Sequence, residues 1–488
     1  MEEREGLVER ILAAHPNKFG HILQKSSQYR FQVLLSQVER HPSGQRRLVR
    51  HGYRVDADYF YPASAIKLAA VVAAIQKLEE RFVIPEYEGF HLANPLCFYP
   101  LLEDGEEERY DPTNLNDHKI TLAHEIRKLF LVSDNEAFNH LYAIVGHRNL
   151  NEIMWNRGFK SVRLHHRLCV SLSPPVNHCC EPVEVNVNGI PYVLAPKKSK
   201  LQVPDNGSIP GVLLGKAYVT ETGELIEKPM DCSLKNYISL LDLQNLLVQL
   251  VRPDVEVLEP AVTLGVKLGG DVRMMLLEAL SQYPASSSNP HYDGADYPDD
   301  YGKFFLPGVA RVRSKGAIRI YNKIGRAYGF TIDNAYVLDI ETGESFFLAA
   351  VLYTNKNEIV NDDVYEYEDV ADKVMADLGE VIADALWNVP DGATNSSSLM
   401  EKTPSSLWSM LNPPIVSEPS PLELPEQSSV QALVLPDDQE ELKISNSEDN
   451  ADEGDEPEEK VKPEQTLVSG VPSAVRNIRS CYQYFVDE

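Results

Sequence analysis

The stretch that decides the fold is Tyr59-Phe60-Tyr61-Pro62-Ala63-Ser64-Ala65-Ile66-Lys67-Leu68. It begins as an aromatic, strand-like run that ends at Pro62, and it continues from Ser64 as an apolar, helical pattern through Leu78. Ser64 therefore lies at or next to a helix start, where unpaired backbone N–H groups favour negative charge. Lys67 follows three residues later, so it lies on the same face of the helix as Ser64.

This Ser-x-x-Lys pattern has two interpretations. Burial among apolar neighbours such as Ile66 and Leu68 lowers the pKa of a lysine, which can then take the proton of a serine hydroxyl. Serine is also a common N-cap, and a lysine in the first turn of a helix is ordinary. The pattern alone does not separate a catalytic pair from a capped helix.

Two further motifs lie downstream. Ser133-Asp134-Asn135 separates a helical pattern over 121–130 from another over 136–144, although all three residue types also cap helices. Lys323-Ile324-Gly325 lies on a predicted strand at the edge of a hairpin, where a glycine alone marks a bulge or a close backbone approach. Neither motif is decisive by itself.

The order Ser-x-x-Lys, Ser-Asp-Asn, Lys-x-Gly is the signature of class A β-lactamases and penicillin-binding proteins. With Pro62 before the serine and the run Tyr328-Gly329 after the Lys-x-Gly, the chain resembles this penicillin-recognising serine hydrolase family from about residue 32 to 387. The resemblance implies a two-lobed α/β fold of the β-lactamase/transpeptidase type. One lobe is an antiparallel sheet flanked by helices, and the other lobe is all-helical.

The resemblance also implies roles for individual residues. Ser64 attacks a carbonyl and becomes acylated, and Lys67 takes or relays its proton. Ser133 passes a proton to the leaving nitrogen, while Lys323 holds the substrate carboxylate. The implied substrate-binding residues are Asn135, Gly325 and Arg326, with the backbone N–H groups of Ser64 and Arg326 as the oxyanion hole.

The implied function is that of a serine hydrolase that acylates Ser64 with a β-lactam or related amide and hydrolyses it slowly. No cofactor and no metal is implied, and the partner is a small molecule. Two alternatives stay open: a glutaminase-like amidohydrolase and a non-catalytic scaffold on the same fold.

The sequence departs from the family pattern in three places. Ile324 replaces the hydroxyl residue of the Lys-x-Gly motif, and the separation of Ser133 from Lys323 is wide. The glutamate that activates the deacylating water has no clear counterpart. Glu181 and Glu184 are the candidates, but neither has the family's spacing, and an ordinary strand with exposed glutamates is the favoured interpretation.

Composition restricts the partners. The 488-residue chain carries a formal net charge of −27, so it repels nucleic-acid phosphates and acidic membrane surfaces. Six cysteines without metal-ligand spacing suggest reduced, structural thiols, and the pair His165 and His166 suggests surface or capping histidines. We see no signal peptide and no membrane-spanning stretch, so a cytoplasmic location is expected. The oligomeric state stays undetermined.

The domain organisation follows from the same patterns. Residues 1–389 form the hydrolase domain, with a helical lobe over about 64–290 and a sheet lobe over about 30–60 and 317–387. Within it, residues 160–235 are mixed, with short apolar runs, and residues 240–251 have a helical pattern. Residues 327–340 and 345–354 are predicted to form a hairpin. A helical pattern over 364–387 follows, with Val370, Val374, Leu378 and Ile382 on one face. Residues 390–488 are acidic and rich in Pro and Ser, which predicts a largely disordered tail. Truncation after Trp387 is therefore expected to leave the melting temperature almost unchanged.

Overall fold

The computed structural model describes residues 6–82, 91–102, 105–256, 268–388, 400–404 and 433–434. Short helices precede the first strand, most others lie between residues 67 and 281, and a long one follows the last strand of the main sheet. The helices are α1 (Leu7–Ala14), α2 (Pro16–Leu23), α3 (Lys67–Phe82), α4 (Leu122–Leu131), α5 (Asn135–Val145), α6 (His147–Asn156), α7 (Pro174–Asn177), α8 (Leu240–Val251), α9 (Gly270–Ser281), α10 (Leu306–Val309) and α11 (Asp372–Trp387).

The strands divide into long ones from the two ends of the domain and short ones between them. The strands are β1 (Gln32–Arg40), β2 (Arg46–Tyr53), β3 (Pro95–Phe98), β4 (Ile120–Thr121), β5 (Cys179–Cys180), β6 (Val183–Val187), β7 (Ile190–Leu194), β8 (Lys197–Lys198), β9 (Leu213–Leu214), β10 (Ala217–Val219), β11 (Leu225–Ile226), β12 (Met230–Asp231), β13 (Ile318–Ala327), β14 (Phe330–Asp339), β15 (Ser345–Tyr353), β16 (Ile359–Val360) and β17 (Leu433–Val434).

The main sheet has five antiparallel strands in the order β13-β14-β15-β1-β2. The N-terminal hairpin thus pairs with the C-terminal strands, with Leu34 opposite Ala349. Both faces of this sheet are covered, because successive side chains of a strand point to opposite faces. Val33 and Leu35 join the core beneath α1, α2 and α11, whereas Leu34 joins the core of the helical lobe.

Helix α3 is the centre of the helical lobe. Every side chain from Leu68 to Ile75 is fully buried, which explains why its sequence is apolar on all sides. It packs against α5, α6 and α8. The α/β fold class, with an antiparallel sheet flanked by helices, is confirmed.

The second lobe is not all-helical, however. A second sheet has the order β17-β7-β6-β3-β4, and further short strands lie between residues 179 and 231. Its central hairpin turns at Asn188 and Gly189, which both have positive φ. An Asn-Gly pair between alternating apolar residues is a strong hairpin signal, so the sequence did encode these strands.

The C-terminal helix begins later than predicted. The helical pattern was expected from Val364, but that side chain is exposed, and a π-helical turn over Tyr367–Ala371 precedes α11. The predicted buried face is confirmed, since Val374, Leu378 and Ile382 are buried in the core under the sheet.

Part of the predicted tail packs on the sheet lobe. Glu401 donates its backbone N–H to Val38 O at 2.8 Å and forms an ion pair with Arg46 at 2.6 Å. Thr403 is buried, and its hydroxyl lies 2.8 Å from the hydroxyl of Tyr336. The predicted boundary at residue 390 therefore omits residues that contact the folded domain. Apart from residues 400–404 and 433–434, the predicted tail lies outside the described residues.

Among the described residues, no helix combines the length and the apolar character that crossing a membrane requires.

Candidate active site

Ser64 lies on a 3-10 helix, Ala63–Ile66, that leads directly into α3. The side chain of Ser64 is half-buried, while its neighbours Ala63 and Ala65 are buried. Ala63 has a φ of 46°, which is uncommon for a residue with a Cβ atom. Backbone held in such a conformation is typical of functional turns, and here it directly precedes the candidate nucleophile.

Lys67 is the first residue of α3 and is fully buried. Its Nζ donates to the backbone oxygens of Ser133 and Asp134, at 2.5 and 3.1 Å, and to Asn135 Oδ1 at 2.7 Å. Burial lowers the pKa of Lys67 to about 7, against the opposing effect of the Asp134 charge. A substantial fraction of this amine is therefore uncharged at neutral pH and can accept a proton.

The turn between α4 and α5 presents the Ser-Asp-Asn motif to Lys67. Asp134 is the N-cap of α5, because its side chain accepts the backbone N–H of Ala137 at 2.9 Å. Ser133 has a φ of 62°, which turns the chain sharply before the cap. Asp134 therefore caps the helix, as the capping interpretation predicted, while Ser133 and Asn135 contact lysines.

Lys323 reaches the same turn from the sheet lobe. Its Nζ donates to Ser133 Oγ at 2.8 Å, and Lys67 Nζ lies 3.5 Å from the same oxygen. Lys323 is buried, and its pKa is lowered well below the usual value by burial and then by the charge of Lys67. The Ser133 hydroxyl thus lies between two lysines from opposite lobes.

Gly325 brings strand β13 against the backbone of residues 62–66, which we call the Ser64 turn. A Cβ atom at this position would lie 2.3 Å from Pro62 O and 2.9 Å from Ala65 N, which are backbone atoms that cannot move aside. The glycine marks the close backbone approach that was one interpretation of the motif. Its consequence is that the backbones of Ser64 and of Arg326 become neighbours.

The side chains that alternate with Lys323 and Gly325 point away from this turn. Ile324 packs in the core beneath α11. The Arg326 side chain pairs with Asp372, and its guanidinium lies over the ring of Phe304 at 4.3 Å. Of the predicted substrate-binding residues, Arg326 can thus offer its backbone but not its side chain to the Ser64 turn.

The two candidate deacylation glutamates are bound elsewhere. Glu181 forms an ion pair with Arg167 at 2.8 Å. Glu184 lies on strand β6, where it accepts from the hydroxyl of Tyr99 at 2.9 Å and pairs with Arg109 at 3.1 Å. Glu184 is a strand residue, as expected, but Glu181 lies between β5 and β6, and both side chains are half-buried rather than exposed. Neither glutamate forms a hydrogen bond or ion pair with Ser64, Lys67 or Ser133 in the described residues.

Sequence reasoning missed one side chain at the site. Asn135 Nδ2 donates to Cys169 Sγ at 3.1 Å, and Cys169 is exposed rather than structural. Its segment is held on α5 by Asn139, whose side chain bonds both the N–H and the carbonyl of Leu168 at 3.0 Å. Of the other cysteines, Cys481 lies outside the described residues, and the remaining four are buried.

The histidine pair is half-buried rather than on the surface. The backbone N–H groups of His165 and His166 both donate to Asn236 Oδ1, at 2.8 and 3.1 Å, and His166 stacks on Tyr61 at 6.5 Å. Burial lowers the pKa of His166 to about 3, so its imidazole is neutral. Their role in the fold is to fix the segment before Cys169.

Residues 50–257 match the model of the beta-lactamase enzyme family. This region is a beta-lactamase-family domain. It includes Ser64, Lys67, Ser133 and Asn135, so the match relates the region that holds these residues to beta-lactamase enzymes. Lys323, from β13, completes the cluster from outside the matched range.

Several solved β-lactamase structures resemble the protein weakly. The β-lactamase from Burkholderia vietnamiensis is 13% identical with a TM-score of 0.41, and the alignment includes 80% of this chain and 100% of the β-lactamase. The β-lactamase from Sphaerobacter thermophilus is 13% identical with a TM-score of 0.40, covering 79% and 98% of the two chains. That from Desulfarculus baarsii is 16% identical with a TM-score of 0.40, covering 77% and 98%. A search of curated proteins finds no match.

Proposed function

We propose that the protein is a serine hydrolase of the class A β-lactamase type, which acylates Ser64 with a β-lactam or a related amide and releases the product slowly. The observation that carries this proposal is the position of Ser133 Oγ between two lysines. Lys323 Nζ lies 2.8 Å and Lys67 Nζ lies 3.5 Å from this oxygen, and Lys67 follows Ser64 by one helical turn. Such a constellation combines a base, a proton relay and, when its lysines are protonated, a positive potential.

In the first step, Ser64 Oγ bonds to the carbonyl carbon of the substrate and its proton passes to Lys67. Among the described residues, Lys67 Nζ bonds to the Ser133–Asn135 turn rather than to Ser64, so this transfer requires Nζ to turn towards Ser64. The carbonyl oxygen becomes negative and is stabilised by the backbone N–H groups of Ser64 and Arg326. The carbon–nitrogen bond then breaks, and Ser133 donates a proton to the leaving nitrogen. Lys67 returns a proton to Ser133, so the step ends with an ester on Ser64.

Lys323 has two roles in this scheme. It donates to Ser133 Oγ, which orients that hydroxyl for proton transfer. The positive charge that it carries when protonated also attracts a carboxylate on the substrate. Asn135 holds Lys67 through Oδ1 at 2.7 Å, and we assign its amide nitrogen to the substrate's own amide oxygen.

The second step requires a water to attack the ester, releasing the acid and restoring the serine. Glu181 and Glu184 are engaged by Arg167 and by Tyr99 with Arg109, which supports a hydrolysis without either of them as base. Loss of a positioned base lowers a rate by about 10²–10⁴-fold. Deacylation is therefore the slow step.

Pre-steady-state hydrolysis of a chromogenic cephalosporin tests this proposal. We expect a burst of about one equivalent per chain, followed by a slow phase that Glu181→Gln and Glu184→Gln leave unchanged. Fast multiple turnovers, or their loss in either variant, would contradict slow deacylation. Ammonia release from glutamine without acylation by the cephalosporin would instead indicate the glutaminase alternative.

A further inference from the structure

A second cluster of ligating side chains lies beside the Ser-Asp-Asn turn. Glu136 and His140 lie one turn apart on α5, and Glu108 approaches them from the segment that follows β3. One ligand atom from each of these three residues lies within 4.8 Å of the others. We propose that Glu108, Glu136 and His140 form a binding site for a divalent transition-metal cation such as Zn²⁺ or Mn²⁺.

The imidazole of His140 is oriented as in a metal site. Its Nδ1 lies 2.8 Å from an oxygen of the fully buried Glu125, and Phe98 stacks on the ring at 4.0 Å. A carboxylate that accepts the second ring N–H is the usual partner of a metal-ligating histidine, because it fixes the tautomer and the direction of the other nitrogen. Here that other nitrogen, Nε2, points at Glu108.

The distances suit a first-row cation. His140 Nε2 and Glu108 Oε2 are 3.2 Å apart. Two ligands at about 2.1 Å from one metal are separated by about 3.0–3.4 Å in octahedral or tetrahedral geometry. Glu108 is fixed by paired backbone hydrogen bonds with Phe98, at 2.8 and 2.9 Å, whereas the exposed Glu136 can rotate to close the site.

The local charges also favour a cation. In the described part of the chain, neither Glu108 nor Glu136 pairs with a lysine or an arginine. The nearby Lys128 is engaged by Asp111 and Glu125, at 2.9 and 3.3 Å. A protonated His140 donates to Glu125 and to Glu108, which leaves the Glu136 charge unpaired among the described residues. A divalent cation in place of the Nε2 proton would neutralise both Glu108 and Glu136.

The donor set of one nitrogen and two oxygens selects the class of metal. Imidazole favours transition metals over Mg²⁺ and Ca²⁺, and carboxylates suit Zn²⁺ and Mn²⁺. With three protein ligands and an exposed side, the site keeps coordination positions for water. Glu136 directly follows Asn135, so a bound cation would stabilise the first turn of the helix that holds Asn135.

Calorimetric titration of the chelator-treated, full-length protein with ZnCl₂ tests the proposal. We expect one equivalent to bind to the wild type and to the control Glu227→Gln, which removes an exposed glutamate elsewhere. Glu136→Gln and His140→Gln should each weaken binding at least about tenfold. Because Glu136 is exposed, its variant keeps the test valid if His140→Gln does not fold. Absence of binding to the wild type, or equal affinity of wild type and Glu136→Gln, would overturn the proposal.

Cobalt replacement excludes binding through thiols. Co²⁺ in this site should give visible ligand-field bands without a sulfur-to-metal charge-transfer band, and Glu136→Gln should remove them. A charge-transfer band that persists in Glu136→Gln would assign the metal to cysteine and refute the site.

Discussion

Lys67 has the environment that a proton acceptor needs. It is the first residue of a buried helix, and only polar groups of the Ser133–Asn135 turn reach its Nζ in the described residues. Burial disfavours the charged form of an amine, so it lowers the pKa of a lysine towards neutrality. A pKa of about 7 therefore follows directly from an apolar helix that begins with Lys67.

We predict that acylation of Ser64 depends on pH through Lys67. The acceptor is the neutral amine, so the rate should rise with pH through about 7 and then level off. Labelling by a fluorescent penicillin, followed over time at several pH values, measures this profile. A rate that is constant between about pH 5 and about pH 9 would show that Lys67 is not the titrating base.

Replacement of Lys67 tests the same assignment independently. Lys67→Arg keeps a charge but removes a group that can lose its proton, so acylation should fall by about 10²–10⁴-fold. Lys303→Arg is a suitable comparison, because that lysine is also buried, with a pKa lowered to about 7, but bonds to Leu280, Ile320 and Asn322 instead. Equal losses in the two variants would indicate general disruption.

Among single residues, those within the three motifs could be predicted, and those brought to the site by the fold could not. Ser64 and Lys67 are three residues apart, so their neighbourhood is local. Cys169 reaches Asn135 only because Asn139 clamps Leu168, and no spacing in the sequence signals that contact. For the proposed metal site, only the separation of Glu136 and His140 was visible in advance.

At the scale of elements, the contact between β13 and the Ser64 turn holds the two lobes together at the site. We predict that Gly325→Ala disrupts it, because the new Cβ would lie 2.3 Å from Pro62 O. Displacing the strand should cost about 1–3 kcal/mol of the free energy of unfolding and move Lys323 from Ser133. Denaturant unfolding and penicillin labelling measure the two effects.

Gly316→Ala is the matched control, since a Cβ there meets no atom within 4 Å. It should leave both stability and labelling close to those of the wild type. If Gly325→Ala were as stable and as reactive as Gly316→Ala, the close approach would have no role in the site.

The elements that could be predicted are those whose apolar residues recur with a clear helical or strand periodicity. Helix α8 was expected at its observed bounds, and β15 and the end of β14 within one residue of theirs, whereas β14 begins three residues later than expected. The segment around Glu184 was interpreted as a strand, but the other strands between residues 179 and 231 were not assigned, because runs of two to five residues show little hydrophobic periodicity. Helix α2 was also missed; it starts at Pro16, directly after α1, where a proline is favoured at a first helical position.

At the scale of the whole molecule, residues 400–404 change the expectation for truncation. A chain that ends at Asn388 loses the Glu401–Arg46 ion pair and the buried Thr403 hydroxyl beside Tyr336. These contacts are worth about 2 kcal/mol together, because a buried hydrogen bond contributes about 1 kcal/mol. We predict that this chain melts several degrees below one that ends at Pro404.

Thermal unfolding of the two chains followed by circular dichroism measures the difference. Thr403→Ala in the longer chain should reproduce part of the loss. Identical melting temperatures would show that residues 400–404 add nothing to the stability of the domain, as the composition of the segment had suggested.

The expected cytoplasmic location stays a prediction.

The central claim is that Ser64 is the acylated nucleophile, and intact-mass spectrometry after incubation with benzylpenicillin tests it most directly. The wild type and Ser27→Ala, which alters an exposed serine, should each gain the mass of one penicillin per chain. Ser64→Ala should gain none. A full adduct on Ser64→Ala, or no adduct on the wild type, would contradict the account.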